Sequence, residues 1–342
     1  MADDEEEAAL LEDMPTRVQN LLMWCVGVAF GRWDIRMALD PSRLPPLGGP
    51  FDPLPRCALG ALVGPDGLPV TKRSPGYADA GDAKRSEGST GDARHLGTSS
   101  AAPYPLPIPW DGILVDDPTH PSDIVARVRK VLDLVWGDRS DTIEQEACRI
   151  LGVRDLREWF RDPRKGFFAF HIKRYSKSRR KAPIYWLLQS EKRHYAIWIY
   201  CHRMRQDVLY AAGRSYADYK IVFERNHLED LRADLESLSG SARRNREREI
   251  ERQQKVIDDV VAFGKRLDAA ALLDIPPDLN DGILISMAPL RELVPWSEVA
   301  RMWESLRAGQ YPWSTMSQQM RKKGLVKGLA HRPLRGGNTW AS

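Results

Sequence analysis

The sequence predicts an α+β fold that is predominantly helical, with a short β-hairpin element, a helical hairpin spacer and a long Pro/Gly-rich irregular segment. Apolar residues recur at helical spacing from 122 to about 160 and again within 204–274. Two β-rich runs, 184–188 and 195–200, flank a polar stretch and indicate a hairpin. Fifteen of the 24 prolines lie between 41 and 121, where they exclude a continuous helix or a central strand.

Composition limits the classes of protein that this chain can belong to. Its 342 residues are 42% hydrophobic, enough to bury a core. The net charge is only +4, because 51 basic residues nearly balance 47 acidic ones, so a surface for polyanions must come from local clustering. The cysteines are widely spaced, without a CxxC pair, which favours a reducing cytoplasm. The apolar run 21–30 is about half the length of a membrane span, and we expect no membrane partner.

The first two segments of the chain differ in composition and in predicted structure. Residues 1–40 predict an apolar helix that begins near Pro15 and Thr16. Such a helix needs a covering surface in another chain or elsewhere in this one, and we interpret it as the edge of a missing or partner domain. Residues 41–121 predict a Pro-rich irregular linker, disordered over 73–102. A proline-rich ligand for an SH3-type module is a less favoured alternative for this linker.

Regular structure is predicted again from residue 122. Residues 122–203 predict helices, the first capped by Ser122 or Asp123, followed by a basic β-hairpin. Residues 204–274 predict two antiparallel helices, because leucine and isoleucine seams stop at a Ser-Gly-Ser break. Residues 275–342 predict a short strand, a last helix that starts near Ser297, and a tail that frays after Gln310.

The residues 173–181, called the basic segment below, carry six positive charges and no negative one. Basic side chains release counterions from nucleic-acid phosphates, and neighbouring aromatic rings can stack on bases. A solvated loop that leads into an edge strand is the alternative interpretation. The candidate DNA-binding residues are Lys173, Arg174, Tyr175, Lys177, Arg179, Arg180, Lys181, Tyr185 and Trp186.

The usual signatures of catalysis are missing from the sequence. It contains no glycine-rich phosphate-binding loop and no G-x-S-x-G motif. His171, His194 and His202 lie near the basic segment, and we favour structural roles for them over phosphate contact. The Asp116-Asp117 pair looks superficially like part of a metal site, but an acidic turn ahead of a helix is favoured. We therefore assign no catalytic, cofactor-binding or metal-binding residue.

Four stretches resemble a known family when they are taken in order. They are 24–34, 112–117, 175–186 and 275–283, of which 175–186 is the most specific. Together they resemble the C-terminal region of large adenine-specific DNA methyltransferases, namely the BREX-system methyltransferase and related Type IIG-like enzymes of phage defence. The resemblance implies a region that follows the catalytic domain and contributes target recognition and a helical spacer. Members of the family transfer a methyl group from S-adenosylmethionine to the adenine amino group.

The sequence departs from that family at the catalytic motifs. The family uses Asn or Asp, then Pro-Pro and an aromatic residue, whereas Pro-Pro occurs here only at 45–46 and 276–277, without those neighbours. We therefore expect this chain alone to be inactive and to bind no cofactor, with S-adenosylmethionine held in a missing catalytic part. A truncated gene product and a recognition subunit are the two origins that we expect.

The resemblance and the basic segment also predict partners. They are double-stranded DNA and a catalytic methyltransferase chain or domain. The alternative is a non-enzymatic helical scaffold for protein interactions, which would lack salt-sensitive binding to duplex DNA.

Overall fold

The computed structural model describes residues 2–40, 104–109, 111–177, 180–205 and 207–327, with side chains described from Met14 onward. The region predicted to be disordered, 73–102, lies outside these residues. The helices and strands follow one another in this order: α1 (Ala2–Ala29), α2 (Arg36–Leu39), β1 (Ile113–Val115), α3 (Ile124–Trp136), α4 (Ser140–Leu151), α5 (Leu156–Arg161), α6 (Phe167–Arg174), β2 (Ser176–Lys177), β3 (Arg180–Lys181), β4 (Tyr185–Gln189), β5 (Ala196–Tyr200), α7 (Val208–Ala211), α8 (Asp218–Leu235), α9 (Gly240–Leu272), α10 (Ile283–Met287), α11 (Ser297–Arg307) and α12 (Thr315–Lys322).

The chain divides into two compact units. The first unit comprises Met1–Lys173 and Tyr195–Met204, and the second comprises Arg174–His194 and Arg205–Ser342. Helices dominate both units, and the strands are few and short. The predicted class, a predominantly helical α+β fold, is confirmed.

Helix α1 is covered by other helices of the first unit. It packs against α3 and α4, and its residues Leu22, Cys25, Val26 and Val28 are buried. The covering surface is therefore another part of this chain, which is the second of the two alternatives. The apolar face of α1 no longer argues for a missing or partner domain. The predicted start near Pro15 was wrong, because the helix begins at Ala2 and its first turns hold the acidic run that a helix N-terminus favours.

Strand β1 is a regular element within 41–121, a region that the sequence predicted to be mostly loop. It pairs with β5 in antiparallel register, with Ile113 opposite Ile199 and Val115 opposite Ile197, and all three of its residues are buried. Three residues among prolines are too few for a period-2 pattern to be recognised. Gly112 is needed before this strand, because its φ is +68° and an added Cβ would lie 2.8 Å from the Arg203 Cβ.

The helices of 122–161 follow the prediction closely. Asp123 caps α3 by accepting a hydrogen bond from the backbone N of Ala126 at 2.9 Å. Helices α4 and α5 lie where the apolar spacing places them. Helix α6 was not predicted, because the aromatic run that begins at Phe167 was attributed to the β-rich region. Phe167, Phe168 and His171 are buried on this helix, at a spacing that brings them to one side of it.

The two predicted strands form as β4 and β5. Every residue of both strands is buried. In the first unit, the Trp198 ring of β5 lies 6.2, 5.2 and 6.0 Å from the ring centroids of Phe160, Phe167 and Phe168. This aromatic cluster gives the first unit much of its core.

The second unit contains the predicted helical hairpin. Helices α8 and α9 pack together, and the break between them ends at Gly240, whose φ is +59°. Leu228 and Ile257 are buried in the interface, as the seams indicate. The interface also holds an ion pair of 2.6 Å between Lys220 and Glu224.

The C-terminal part of the second unit differs from the prediction in two places. The expected strand is absent from the described part of 275–342, where the run that follows Gly282 forms α10, since a short apolar run suits a buried helix as well as a strand. The prediction that the chain frays after Gln310 was also wrong, because Met316 and Met320 of α12 are buried in one apolar cluster with Trp303 of α11. Helix α11 is confirmed. Residues 328–342 lie outside the described residues.

No helix in the described parts of the chain combines the length and the apolar character needed to cross a bilayer.

Candidate nucleic-acid interface

The basic segment contributes a two-stranded ribbon to the second unit. Ser176 pairs with Lys181, and Lys177 pairs with Arg180, in antiparallel register. Paired residues of an antiparallel ladder point to the same face, and successive residues alternate between faces. The ribbon therefore has a Ser176/Lys181 face and a Lys177/Arg180 face.

The Ser176/Lys181 face is tied to the start of α11. The Lys181 ammonium forms an ion pair with the Glu298 carboxylate and lies 6.0 Å from the centroid of the Trp296 ring. Lys181 therefore has an internal anion, and its charge is less available to a phosphate than the sequence suggested. No local pattern reveals this anchor, because Lys181 and Glu298 are 117 residues apart.

The Lys177/Arg180 face is the candidate interface. Both side chains are exposed, and within the described residues no acidic side chain pairs with either. Like charges that lie directly opposite each other destabilise a pair of strands. A bound anion would relieve this repulsion, and the planar guanidinium of Arg180 is suited to two oxygens of one phosphate.

The other basic candidates vary in position. Lys173 and Arg174 are exposed at the end of α6, and Tyr175 is half-buried. Arg179, another of the basic candidates, lies outside the described residues. DNA contact by these residues stays a prediction.

The two aromatic candidates lie in the core. Tyr185 and Trp186 are 1% and 0% exposed, and the Trp186 Nε1 donates to the carbonyl oxygen of Pro183 at 2.9 Å. Stacking on a base requires an open ring face, which neither residue offers in this conformation. The structure therefore corrects the stacking role expected for these two rings, which a chain position beside basic residues cannot establish.

The stretch that looked like a metal site is an ion-pair cluster in the first unit. Arg157 Nη1 lies 2.5 Å from Asp116 Oδ1 and 2.8 Å from Asp123 Oδ1, and Arg161 also pairs with Asp116. Burial tends to lower the pKa of Arg157, but the hydrogen bonds and charges of Asp123 and Asp116 outweigh burial and raise it. Two buried carboxylates are thereby neutralised by guanidinium groups instead of by a metal.

The predicted acidic turn is confirmed at Asp117. Its Oδ1 accepts hydrogen bonds from the Thr119 N at 3.1 Å and the Thr119 Oγ1 at 2.8 Å. Across the described ranges, no group of three or more His, Cys, Asp or Glu side chains is arranged to hold a metal ion.

A second acidic cluster joins the turn after β4 to α9 in the second unit. Asp259 Oδ2 accepts from the Ser190 Oγ at 2.6 Å and lies 3.0 Å from the His194 Nδ1, while Oδ1 accepts from the Lys192 N at 3.1 Å. Burial opposes ionisation, but these hydrogen bonds hold the pKa of Asp259 below its ordinary value. The Ser190 hydroxyl donates its hydrogen bond to the aspartate, whereas a nucleophilic serine donates to a general base such as a histidine or lysine side chain. The cluster is thus structural, which supports the favoured interpretation of His194.

His171 is a fully buried histidine of the first unit that stacks on Phe167, with ring centroids 5.6 Å apart. Burial, with a smaller effect from the charge of Arg32, lowers its pKa from 6.5 to about 3. The group is therefore neutral at neutral pH. This environment supports the structural interpretation.

The buried position of His171 predicts a pH-dependent stability. The His171 imidazole binds a proton below pH 6.5 in the unfolded chain but only near pH 3 in the folded protein. The free energy of unfolding therefore falls as the pH drops from 6.5 towards 3. Between pH 6 and 4.5 the parent chain should lose about 2 kcal/mol more than a His171→Leu variant. Urea unfolding measured at several pH values tests this. The exposed His227→Leu variant is the control, and parallel profiles for the parent and His171→Leu would contradict the prediction.

Comparison with known proteins gives a limited match. No protein-family model matches the chain. The chain is similar to the adenine-specific methyltransferase BrxX of Escherichia coli O9:H4 (strain HS), with 26% identity over 202 residues. The aligned region covers 55% of this chain and 16% of that relative, so the match spans only a small part of the larger protein. The similarity supports a relation to methyltransferases.

Proposed function

We propose that this chain is the DNA-recognition and spacer portion of an adenine-specific DNA methyltransferase from a restriction-modification or phage-defence system. It acts with a separate catalytic part that binds S-adenosylmethionine. The exposed, like-charged Lys177/Arg180 face of the ribbon carries this proposal, because it places two cations together without an internal anion. The similarity to BrxX, which is named as an adenine-specific methyltransferase, gives the chemical context.

The proposed role follows from what base methylation requires. An enzyme that modifies a base must first take it out of the stacked duplex, so the DNA has to be held while the base is extruded. A two-stranded ribbon is narrow enough to enter the major groove, and its cations can hold the flanking phosphates. The Lys181–Glu298 pair anchors the opposite face of the ribbon, which limits its movement on the second unit.

The helical hairpin suits the spacer role. Helix α9 has 33 residues and is therefore about 50 Å long. Its packing with α8 stiffens it against bending. A rigid element of this length can set the distance between a recognition surface and a catalytic part.

The salt dependence of DNA binding tests the proposal. We expect the Arg174→Ala, Lys177→Ala, Arg180→Ala variant, called the ribbon variant below, to bind duplex DNA more weakly than the parent. Each lost phosphate contact reduces the slope of log affinity against log salt by about 0.9, so the slope should flatten by about 2.7. Fluorescence anisotropy over a salt series gives both slopes.

A variant with the same change in charge controls for long-range electrostatics. The Lys130→Ala, Arg139→Ala, Arg149→Ala variant removes three exposed cations from helical parts of the first unit. It should keep the parent slope. Equal slopes for the parent and the ribbon variant, with circular dichroism showing intact helices, would rule out the ribbon as the DNA contact.

A protein-interaction scaffold is the second candidate function. Helix α8 exposes Tyr219, Val222 and Phe223, whose side chains are 45%, 56% and 37% accessible. Their spacing places them near one another on the helix surface, where an apolar partner could cover them. This function predicts a parent chain that does not bind duplex DNA and that captures a protein partner in a salt-insensitive way.

A further inference from the structure

The first half of α9 is a second concentration of charge in the second unit. Residues 243–255 include six basic and three acidic side chains. Arg243 pairs with Glu247 at 3.1 Å, and Arg246 pairs with Glu249 at 3.4 Å and with Asp234 at 2.9 Å. These contacts neutralise two of the six cations and two of the three local acids.

Four exposed cations are left, which we call the α9 stripe. Within the described residues, no acidic side chain pairs with any of them. Arg248 Nη2 donates to the Asn245 Oδ1 at 2.6 Å, a neutral partner that leaves its charge uncompensated. The stripe consists of Arg244, Arg248, Arg252 and Lys255.

The spacing of the α9 stripe makes it a single surface. Its members are four, four and three residues apart, so they lie within an arc of about 80° and extend over about 16 Å along the helix. Gln253 and Ile257 are buried and lie on the opposite side of α9 by the same geometry. The stripe therefore points away from the packed face of the helix.

The α9 stripe is unfavourable for the chain on its own. Like charges at a spacing of four residues destabilise a helix, and the neighbouring Glu251 can offset only one of the four positive charges. Duplex DNA supplies the missing anions, with about one phosphate per 3.4 Å of axis on each strand. Guanidinium groups also match phosphate oxygens in shape, and three of the four members are arginines.

We propose that the α9 stripe binds the phosphate backbone of duplex DNA, so that the spacer helix is itself a DNA contact. This inference rests on the proposed function and adds a second, separate surface to it. Phosphate contacts along a helix carry no base information, so the stripe would strengthen binding to all duplexes equally.

Glu251 provides a specific test of this inference. By helical geometry it lies about 20° from the line of Arg244, at the edge of the stripe, and it is exposed. A carboxylate at this position would repel a bound phosphate. Its removal should therefore strengthen DNA binding, a result that a misfolded variant cannot imitate.

The experiment measures duplex binding over a salt series for the full chain. The Arg244→Ala, Arg248→Ala, Arg252→Ala variant should flatten the slope by about 2.7. Alanine favours helix, so α9 should stay folded. The control variant, Arg243→Ala, Arg246→Ala, Arg232→Ala, removes three arginines that have acidic partners and should keep a slope near that of the parent.

The Glu251→Gln variant should bind about two- to fivefold more tightly than the parent at low salt. Glu236→Gln, which removes an exposed carboxylate just after α8, should leave the affinity unchanged. If the stripe variant keeps the parent slope and Glu251→Gln does not bind DNA more tightly, the role of the α9 stripe is overturned. The proposed function is tested separately, by the slope of the ribbon variant. A parent chain that binds no duplex overturns both.

Discussion

Replacing Arg157 with alanine should lower the free energy of unfolding by about 3–5 kcal/mol. The Arg157 side chain is 15% exposed, and its carboxylate partners Asp116 and Asp123 are 1% and 2% exposed. Removing the guanidinium leaves Asp123 as an uncompensated buried charge and leaves Asp116 with Arg161. The penalty comes from the desolvated carboxylates and not from the intrinsic strength of the pair.

A nearby arginine offers a matched control. Arg154 pairs with Glu158 at 2.5 Å, but these two side chains are 91% and 36% exposed. An exposed ion pair contributes about 0–1 kcal/mol, so Arg154→Ala should be nearly neutral. Urea unfolding at pH 7 compares both variants with the parent. Equal losses for Arg157→Ala and Arg154→Ala would show that the buried cluster does not hold the first unit together.

Replacing Asp259 with alanine is the second large change, with an expected loss of about 2–4 kcal/mol. Ser190, Lys192 and His194 all hydrogen-bond to this carboxylate, and the turn that carries them would lose its anchor on α9. Charged acceptors contribute more than neutral ones, and partly buried donors would be left unsatisfied.

The stability lost in Asp259→Ala should depend on pH. The pKa of Asp259 is lower in the folded protein than in the unfolded chain, so its stabilisation is present above pH 4 and is lost as the pH falls below that value. The difference between the parent and Asp259→Ala should therefore narrow in acid. Thermal unfolding from pH 3 to 7 measures this.

The control for Asp259 is its neighbour. Asp258 is exposed and bonds to the Gln254 side chain at 2.9 Å, so Asp258→Ala should change stability by no more than about 0.5 kcal/mol. If the two variants behave alike at pH 7, the carboxylate is not the anchor of the turn.

Local signals in the sequence predicted much of the fold. The cap at Asp123, the apolar spacing of the helices that follow it and the break before Gly240 all depend on residues a few positions apart. Such signals survive in any tertiary context, so those helices and strands β4 and β5 lie where they were expected. The short strand β1 and the helix α6 were missed, because three residues carry no period and an aromatic run fits either element.

At the candidate interface, too, the sequence predicted some properties and missed others. The charge of the basic segment could be counted from the sequence, because charge belongs to each residue wherever it lies. The direction in which each side chain points could not be predicted. The Lys181 side chain pairs with Glu298, which is 117 residues away, and the Trp186 side chain is fully buried.

The sequence by itself determined the helical character of the chain, its hairpins and the places where positive charge is concentrated, since propensity, period and charge are local properties. Only the tertiary structure decided which charges have internal partners. Asp116 and Arg157 are 41 residues apart, and Lys181 and Glu298 are 117 residues apart. Pairing at such distances depends on how whole elements pack, and this packing leaves Lys177, Arg180 and the α9 stripe exposed and available to an external anion.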